Sequence, residues 1–190
     1  SKIKVTYTPE APTQTVAEYV IGLMIYLLRN MHVSKKNFSK GKWLKIYGKN
    51  LNESKIGIVG FGRIGFELAR LLRAFNCKDI LVNDINIDKI NLKKYSIKKA
   101  TKNKIFKNCN IITLHLPLTK QTKNLVTKKE INLMRSDAIL INTSRGEIIN
   151  ENHLYEALKN KKIHSAALDV YSKEPYFGSL KKLDNCHAQL

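Results

Sequence analysis

The sequence predicts an α/β protein: a doubly wound parallel sheet of the dinucleotide-binding, Rossmann type, with helices on both faces. Three observations carry that prediction. From residue 55 onward, short apolar runs alternate with segments of helical periodicity. Three glycines, Gly60, Gly62 and Gly65, join the first apolar run to the first helical segment with the spacing G-x-G-x-x-G. An acid, Asp84, closes the next run, 19 residues after Gly65. Apolar runs without polar alternation suit strands buried on both faces.

Residues 1–9 read as extended, ending at Thr8 and Pro9. Pro12, Thr13, Gln14 and Thr15 read as a helix start, and Val16, Ala17, Val20, Leu23, Met24, Leu27 and Leu28 continue with a helical period to about Met31. This helix is apolar on most sides, so burial in this domain or against a second chain is expected. Residues 33–54, which include the only tryptophan, Trp43, read as a polar connector packed over the surface. Then come a strand at 55–59 and a helix at 63–75 with Ile64, Leu68, Leu71, Leu72 and Phe75 apolar. Asn76 is placed to end it in a left-handed conformation. A second strand covers 80–83. Residues 88–109 read as a short helix, a short strand near Ile97 and another short helix. A strand at 111–116 stops at Pro117, followed by a helix at 128–134, a strand at 138–142, a helix at 151–159 and a strand at 165–169. No repeat or low-complexity linker marks an internal boundary.

Composition narrows the classes of function. At 190 residues and 43% hydrophobic, the chain can bury a sizeable core. Its longest apolar run, 20–28, is about half of a bilayer span, and the start lacks a basic-then-apolar leader pattern. A cytoplasmic protein without a membrane partner is expected. Cys77, Cys109 and Cys186 are odd in number and form no C-x-x-C or Cys/His cluster, so reduced thiols and no metal site are expected. The net charge of +19 raises nucleic-acid binding as a possibility. Against it, lysine supplies 28 of the 34 basic residues, spread along the chain without interleaved aromatics. A solvated basic surface is the better reading, and no nucleic-acid partner is expected.

Each glycine of the triplet has its own chemical reason: a tight turn at Gly60, backbone approach to a pyrophosphate at Gly62, close helix–strand packing at Gly65. The following helix start offers unpaired N–H groups and a positive dipole end to phosphates. Asp84 at the end of the second strand can accept ribose hydroxyls and repels a 2′-phosphate, which favours NAD over NADP. His115, Leu116, Pro117, Leu118 and Thr119 follow one strand; Thr143, Ser144, Arg145 and Gly146 follow the next. Both stretches lie where an open parallel sheet binds ligands. Arg145 stands out in a lysine-dominated chain, because its planar fork grips a carboxylate bidentately. Asp169 and Glu174 lie on the same edge, where one could orient a histidine as general acid/base; as loop acids on a basic surface they need no such role. His115 by itself reads as structural.

Taken together, several strings resemble one family. Gly60 to Gly65, His115 to Thr119 with Thr122, Ile141 to Gly146, Ala166 to Val170, and Glu174 with Pro175 are similar to the D-isomer-specific 2-hydroxyacid dehydrogenases. Thr8 with Pro9 leading to Val16, Ala17 and Glu18, and Gly41, Lys42 and Trp43 before the first strand, add to the likeness. Within the family the look is that of phosphoglycerate dehydrogenases and related hydroxypyruvate or glyoxylate reductases. The resemblance implies a nucleotide-binding domain inserted into a substrate-binding domain. This sequence would be the inserted domain, with 1–54 a dimer-type helix and connector, 55–190 the strand–helix core, and the substrate domain largely absent. It implies an NAD cofactor, a homodimer formed through the apolar helix, and a small 2-hydroxy acid substrate.

The resemblance also implies roles for single residues. Arg145 would hold the substrate carboxylate, and Glu174 would pair with a catalytic histidine. Gly60, Gly62, Arg63, Ile64, Gly65, Asp84, Leu116, Pro117, Thr122, Thr143, Ser144, Arg145 and Asp169 would line the cofactor site, with Asp169 near the nicotinamide end. The family's histidine follows a proline some residues after a stretch like Leu183, Asp184, Asn185 and Cys186; His187 comes too early, lacks that proline and is not assigned. The expected activity is hydride transfer between NAD(H) and a 2-hydroxy or 2-oxo acid, with the 190-residue chain alone binding NAD(H) but turning over poorly. A cofactor-sensing scaffold of corepressor type on the same fold is the alternative.

Overall fold

A computed structural model describes residues 3, 4, 6, 8, 10–87, 92 and 97–188. Seven strands form one parallel sheet in the order β3-β2-β1-β4-β5-β6-β7. They are β1 (Ile56–Val59), β2 (Ile80–Asn83), β3 (Lys98–Lys99), β4 (Ile111–Leu114), β5 (Ile139–Asn142), β6 (Ser165–Leu168) and β7 (Cys186–Ala188). The helices are α1 (Ala11–Leu28), α2 (Met31–Ser39), α3 (Arg63–Ala74), α4 (Lys102–Asn108), α5 (Lys128–Leu133) and α6 (Glu151–Lys159).

The two-residue period of the strands sorts the core onto two faces. Ile56, Ile58, Ile80, Ile111, Ile139, Ile141 and Ala167 pack with α1 and α3, through Val20, Met24, Leu27, Leu68 and Leu72. Val59, Leu81, Ile112, Leu114, Leu140, Ala166 and Leu168 pack with α4, α5 and α6, through Ile105, Phe106, Ile131 and Leu154. Close packing explains Gly57: a Cβ there would stand 2.3 Å from Ile105 Cγ2. All three cysteines are buried free thiols, and burial pushes Cys109 and Cys186 up to about 12.

The strand–helix order from 55 to 169 stands as expected, within one or two residues at element ends, and Asn76 is left-handed at φ 61°. The expected short helix after residue 88 falls largely outside the described residues, as does most of the expected extended start. Three expectations are corrected. The apolar helix ends at Leu28, not near Met31, because Asn30 turns left-handed at φ 50° and its Nδ2 donates to Tyr47 O at 3.1 Å. Met31 then opens α2, so the connector contains a helix and, at Leu51–Glu53, a 3-10 turn. Trp43 does not pack over the surface but is 91% exposed. Finally, the short run at Cys186–Ala188 was not expected to be a strand, yet it pairs with β6. Among the described residues no helix is long and apolar enough to cross a membrane.

Candidate functional site

The chain leaves β1 toward β2 and leaves β4 toward β5, so the strand order reverses between these two neighbours. Their carboxyl ends flank the crevice where such a sheet takes its ligand. Gly60 ends β1 at φ +94°. A Cβ there would stand 2.1 Å from His115 O, so glycine alone lets this loop touch the one after β4. At Gly65 a Cβ would stand 2.3 Å from Gly60 O; its absence lets α3 close onto the loop. Gly62 caps α3 and has nothing within 4 Å of its missing Cβ.

Among the described residues no side chain caps α3. Its first N–H groups, Arg63 and Ile64 included, have no intrahelical acceptor and carry the positive end of the helix dipole. The Arg63 side chain turns aside, with Nε 3.5 Å from Glu10 Oε1, so the backbone of Arg63 is what the crevice receives. Asp84 holds the loop from the β2 side. Its Oδ2 accepts from Phe61 N at 2.7 Å and its Oδ1 from Asn86 N at 2.8 Å. A carboxylate is thereby fixed beside the glycine loop, as ribose recognition requires.

After β4, His115 Nε2 lies 2.9 Å from Thr113 Oγ1, and burial pushes the imidazole down to about 4, leaving it neutral at pH 7. Leu116 is half-buried and Pro117 exposed. Thr122 ties the loop: its Oγ1 donates to Pro117 O at 2.6 Å and accepts from Thr119 N at 2.8 Å.

After β5, the buried Asn142 shapes the next turn. Its Oδ1 accepts from Ser144 N (3.1 Å) and Ser144 Oγ (2.8 Å), and its Nδ2 donates to Arg145 O (2.9 Å). Arg145 is exposed, with Nη1 donating to Ser144 O at 2.6 Å. The Thr143 hydroxyl is buried with no partner among the described residues. At Gly146 a Cβ would stand 1.9 Å from the Tyr171 carbonyl carbon, so this turn lies against the loop after β6.

That loop carries the two acids. Glu174 Oε1 accepts from Tyr171 N at 3.0 Å. The Asp169 carboxyl is raised, first by burial and also by the charge of Glu174, while a hydrogen bond from the Tyr19 hydroxyl lowers it. Arg145 forms no ion pair with either acid among the described residues. His187 sits apart, its ring 4.2 Å from that of His32 and 5.5 Å from that of Tyr26. Burial pushes it down to about 4.

A chain with this loop, this acid and this Asn-Thr-Ser-Arg turn matches, over residues 21–189, the family described as D-isomer specific 2-hydroxyacid dehydrogenase, NAD binding domain. The chain belongs to that family. It is 36% identical over 180 residues to D-3-phosphoglycerate dehydrogenase of Methanocaldococcus jannaschii, covering 91% of this chain and 33% of that protein. It is 33% identical to hydroxypyruvate reductase of Thermotoga maritima, covering 96% of this chain and 60% of that protein. Among solved structures, D-lactate dehydrogenase from Aquifex aeolicus, complexed with NAD and lactic acid, superposes with a TM-score of 0.89. There the identity is 26%, over 97% of this chain and 61% of that one. The chain thus spans between a third and about three fifths of these relatives.

The cofactor of this dehydrogenase domain is NAD, and the residues fit it. The open face of Gly62 over an uncapped helix start suits a pyrophosphate, and Asp84 is placed for a ribose. The unpartnered Thr143 hydroxyl leaves one polar atom at the same edge still to be satisfied. Two contributors escaped the sequence reading. Asn142 was legible in principle, as an Asx turn directly after a buried strand. Tyr19 was not, since its partner Asp169 is 150 residues away.

Proposed function

We propose that this chain is the NAD-binding part of a two-domain dehydrogenase that moves a hydride between NAD(H) and a small 2-hydroxy or 2-oxo acid. Residues 1–54 supply the apolar helix and connector, residues 55–190 the nucleotide core, and a substrate-binding domain lies largely outside this sequence. The observation that carries the reading is the loop at Gly60–Gly65: open at Gly62, uncapped at α3, and held by Asp84. NAD, when bound, supplies or accepts the hydride. The chain's own residues do the rest. Gly60, Gly62, Arg63, Ile64 and Gly65 receive the pyrophosphate on backbone N–H groups, and Asp84 takes the ribose. Leu116, Pro117, Thr122, Thr143, Ser144 and Arg145 line the cofactor cleft, with Asp169 near the nicotinamide end. Arg145 clamps the substrate carboxylate with its fork. Glu174 tunes a histidine supplied from outside the 190 residues. The names of the relatives support a phosphoglycerate, hydroxypyruvate or glyoxylate type of substrate.

The partner proposed through α1 is a second copy. Gly22, on its solvent side, is exposed, and Tyr19, Leu23 and Tyr26 beside it are only partly buried. The cytoplasm is the proposed location, in keeping with three unpaired thiols. The test is a titration of the purified chain with NADH and NADPH, with Asp84→Ala alongside. NADH should bind roughly tenfold or more tightly than NADPH, and Asp84→Ala should narrow that gap. NADPH binding equal to or better than NADH in the unsubstituted chain overturns the assignment of Asp84.

A further inference from the structure

We propose that Tyr176 is a positioning residue for Glu174: its ring, stacked on Tyr171, fixes the loop in which the Tyr171 N–H holds one carboxylate oxygen and leaves the other for the histidine. The inference rests on the reading of Glu174 given above and extends it to a side chain that acts on Glu174 only through a neighbour.

Glu174 needs such a hold. It is exposed, it sits on a loop, and its long side chain has several torsions to lose. Its Oε1 accepts from Tyr171 N at 3.0 Å, which closes a ring over residues 171–174. Among the described residues Oε2 has no hydrogen-bond donor. A carboxylate held by one oxygen can meet a histidine N–H with the other. The neighbouring acid is occupied elsewhere: Glu151 Oε1, from α6, accepts from Ser172 N at 2.7 Å.

The hold is only as firm as Tyr171. That ring is buried in the core shared with α4, α5 and α6, its hydroxyl donates to Leu168 O at 3.4 Å, and Gly146 lies against its carbonyl. One face of the ring is covered by Tyr176, with centroids 4.1 Å apart and planes within 22°. Stacked aromatic pairs of this kind gain energy beyond the area they bury. Tyr176 is itself held at its phenol end. Its Oη accepts from Leu180 N at 3.3 Å, in the 3-10 turn at Ser179–Lys182. A Cβ on Gly178 would stand 2.2 Å from the same oxygen, so the chain passes tightly over the phenol. The segment that carries Glu174 is thus closed twice, by the ring stack of 171 on 176 and by the bond from Tyr171 N to Glu174.

Two variants displace the ring in different ways. Tyr176→Leu removes the stack, and Gly178→Ala drives a methyl against the phenol and pushes the ring off Tyr171. Tyr176→Phe keeps the stack and is the conservative control. The readout in the ligand-free chain is the Tyr171 amide, whose proton shift follows the ionisation of the carboxylate it donates to; Glu174→Gln, which cannot ionise, identifies that signal. In Tyr176→Leu and Gly178→Ala the movement of this shift with pH should fall by roughly half or more. Hydrogen exchange at Tyr171 N should speed by roughly tenfold or more, while Ala166, Ala167 and Leu168 in β6 change by less than about twofold. Tyr176→Phe should retain both signals. A Tyr171 signal unmoved in either displaced variant overturns the proposal, as does exchange that speeds equally in β6, the mark of a merely structural role. If Tyr176→Leu does not fold, Gly178→Ala decides alone. In the longer protein that supplies the histidine, Tyr176→Leu should move the histidine limb of the kcat/KM pH profile toward lower pH. The shift should follow that of Glu174→Gln and be smaller, because a loosened carboxylate stabilises the imidazolium less. A limb moved by Glu174→Gln and not by Tyr176→Leu also overturns the proposal. If Glu174→Gln leaves the limb in place, the reading of Glu174 falls, while the amide signal still decides the link between Tyr176 and Glu174.

Discussion

The glycine loop after β1 and the Arg145–Glu174 region share one edge of the sheet but are built in opposite ways. The loop is local. Residues 60 to 65 supply its turn, its open face and its helix start, and Asp84 on Phe61 holds it from the β2 side. The Arg145–Glu174 region is assembled from two loops: Asn142 bracing the first turn, Gly146 against Tyr171, and Tyr171 onto Glu174. On the proposed reading, backbone groups receive one half of the cofactor in the first region, and side chains hold the reacting geometry in the second. Damage at the open face of Gly62 should therefore be confined to binding, whereas damage to the second region should reach stability.

The largest effect should come from Gly146→Ala. Its methyl would overlap the Tyr171 carbonyl, which is backbone and cannot swing away, so one of the two loops must move. We expect a loss of roughly 3 kcal/mol or more in urea unfolding, the range of overpacked backbone contacts. A loss under about 1 kcal/mol would mean that the two loops do not meet as described.

Gly62→Ala should break the parallel from the other side. Its methyl meets nothing in the ligand-free protein, so the cost is that of replacing a glycine N-cap by alanine, on the order of 1 kcal/mol. Unfolding should shift by no more than about 1 kcal/mol, yet NADH affinity should fall by roughly tenfold or more, since the methyl occupies the pyrophosphate approach. Unchanged affinity on calorimetric titration would refute the assignment of this face to the cofactor.

A further effect is in pH, graded rather than set by one substitution. His115, at the cofactor edge, and His187, under α1, are both pushed down to about 4 by burial. Their folded values lie below the ordinary 6.5, so the unfolded chain takes up protons first. Stability is complete above about pH 6.5 and is lost as pH falls toward about 4, by up to about 1.4 kcal/mol per unit for each histidine. Thermal melts at pH 7 and 5, repeated with His115→Gln and with His187→Gln, should apportion the loss between the two regions. Identical melting of the unsubstituted chain at both pH values would contradict the burial of both rings.

Legibility in the sequence followed the distance over which each feature is determined. The strands and helices from 55 to 169 were readable because apolar periodicity and glycine punctuation act within a few residues. Helix α6 was readable to its ends, because Asn150 caps it by accepting from His153 N. The break at Asn30 was not, because a left-handed asparagine is permitted by the local sequence but chosen by its bond to Tyr47. Strand β7 was missed because three residues show no period, and only pairing with β6 makes them a strand.

By itself, then, the sequence determined the parallel α/β architecture, the glycine loop with its acid, and the family to which the chain belongs, since each rests on residue type at short spacing. Only the tertiary structure decided what holds the second half of the site. Gly146 beneath Tyr171 is a contact made by folding, between residues that nothing in the linear order brings near. Gly146 is the sharpest case: its place after a strand is written in the sequence, but the Tyr171 carbonyl it must clear belongs to the loop after the next strand.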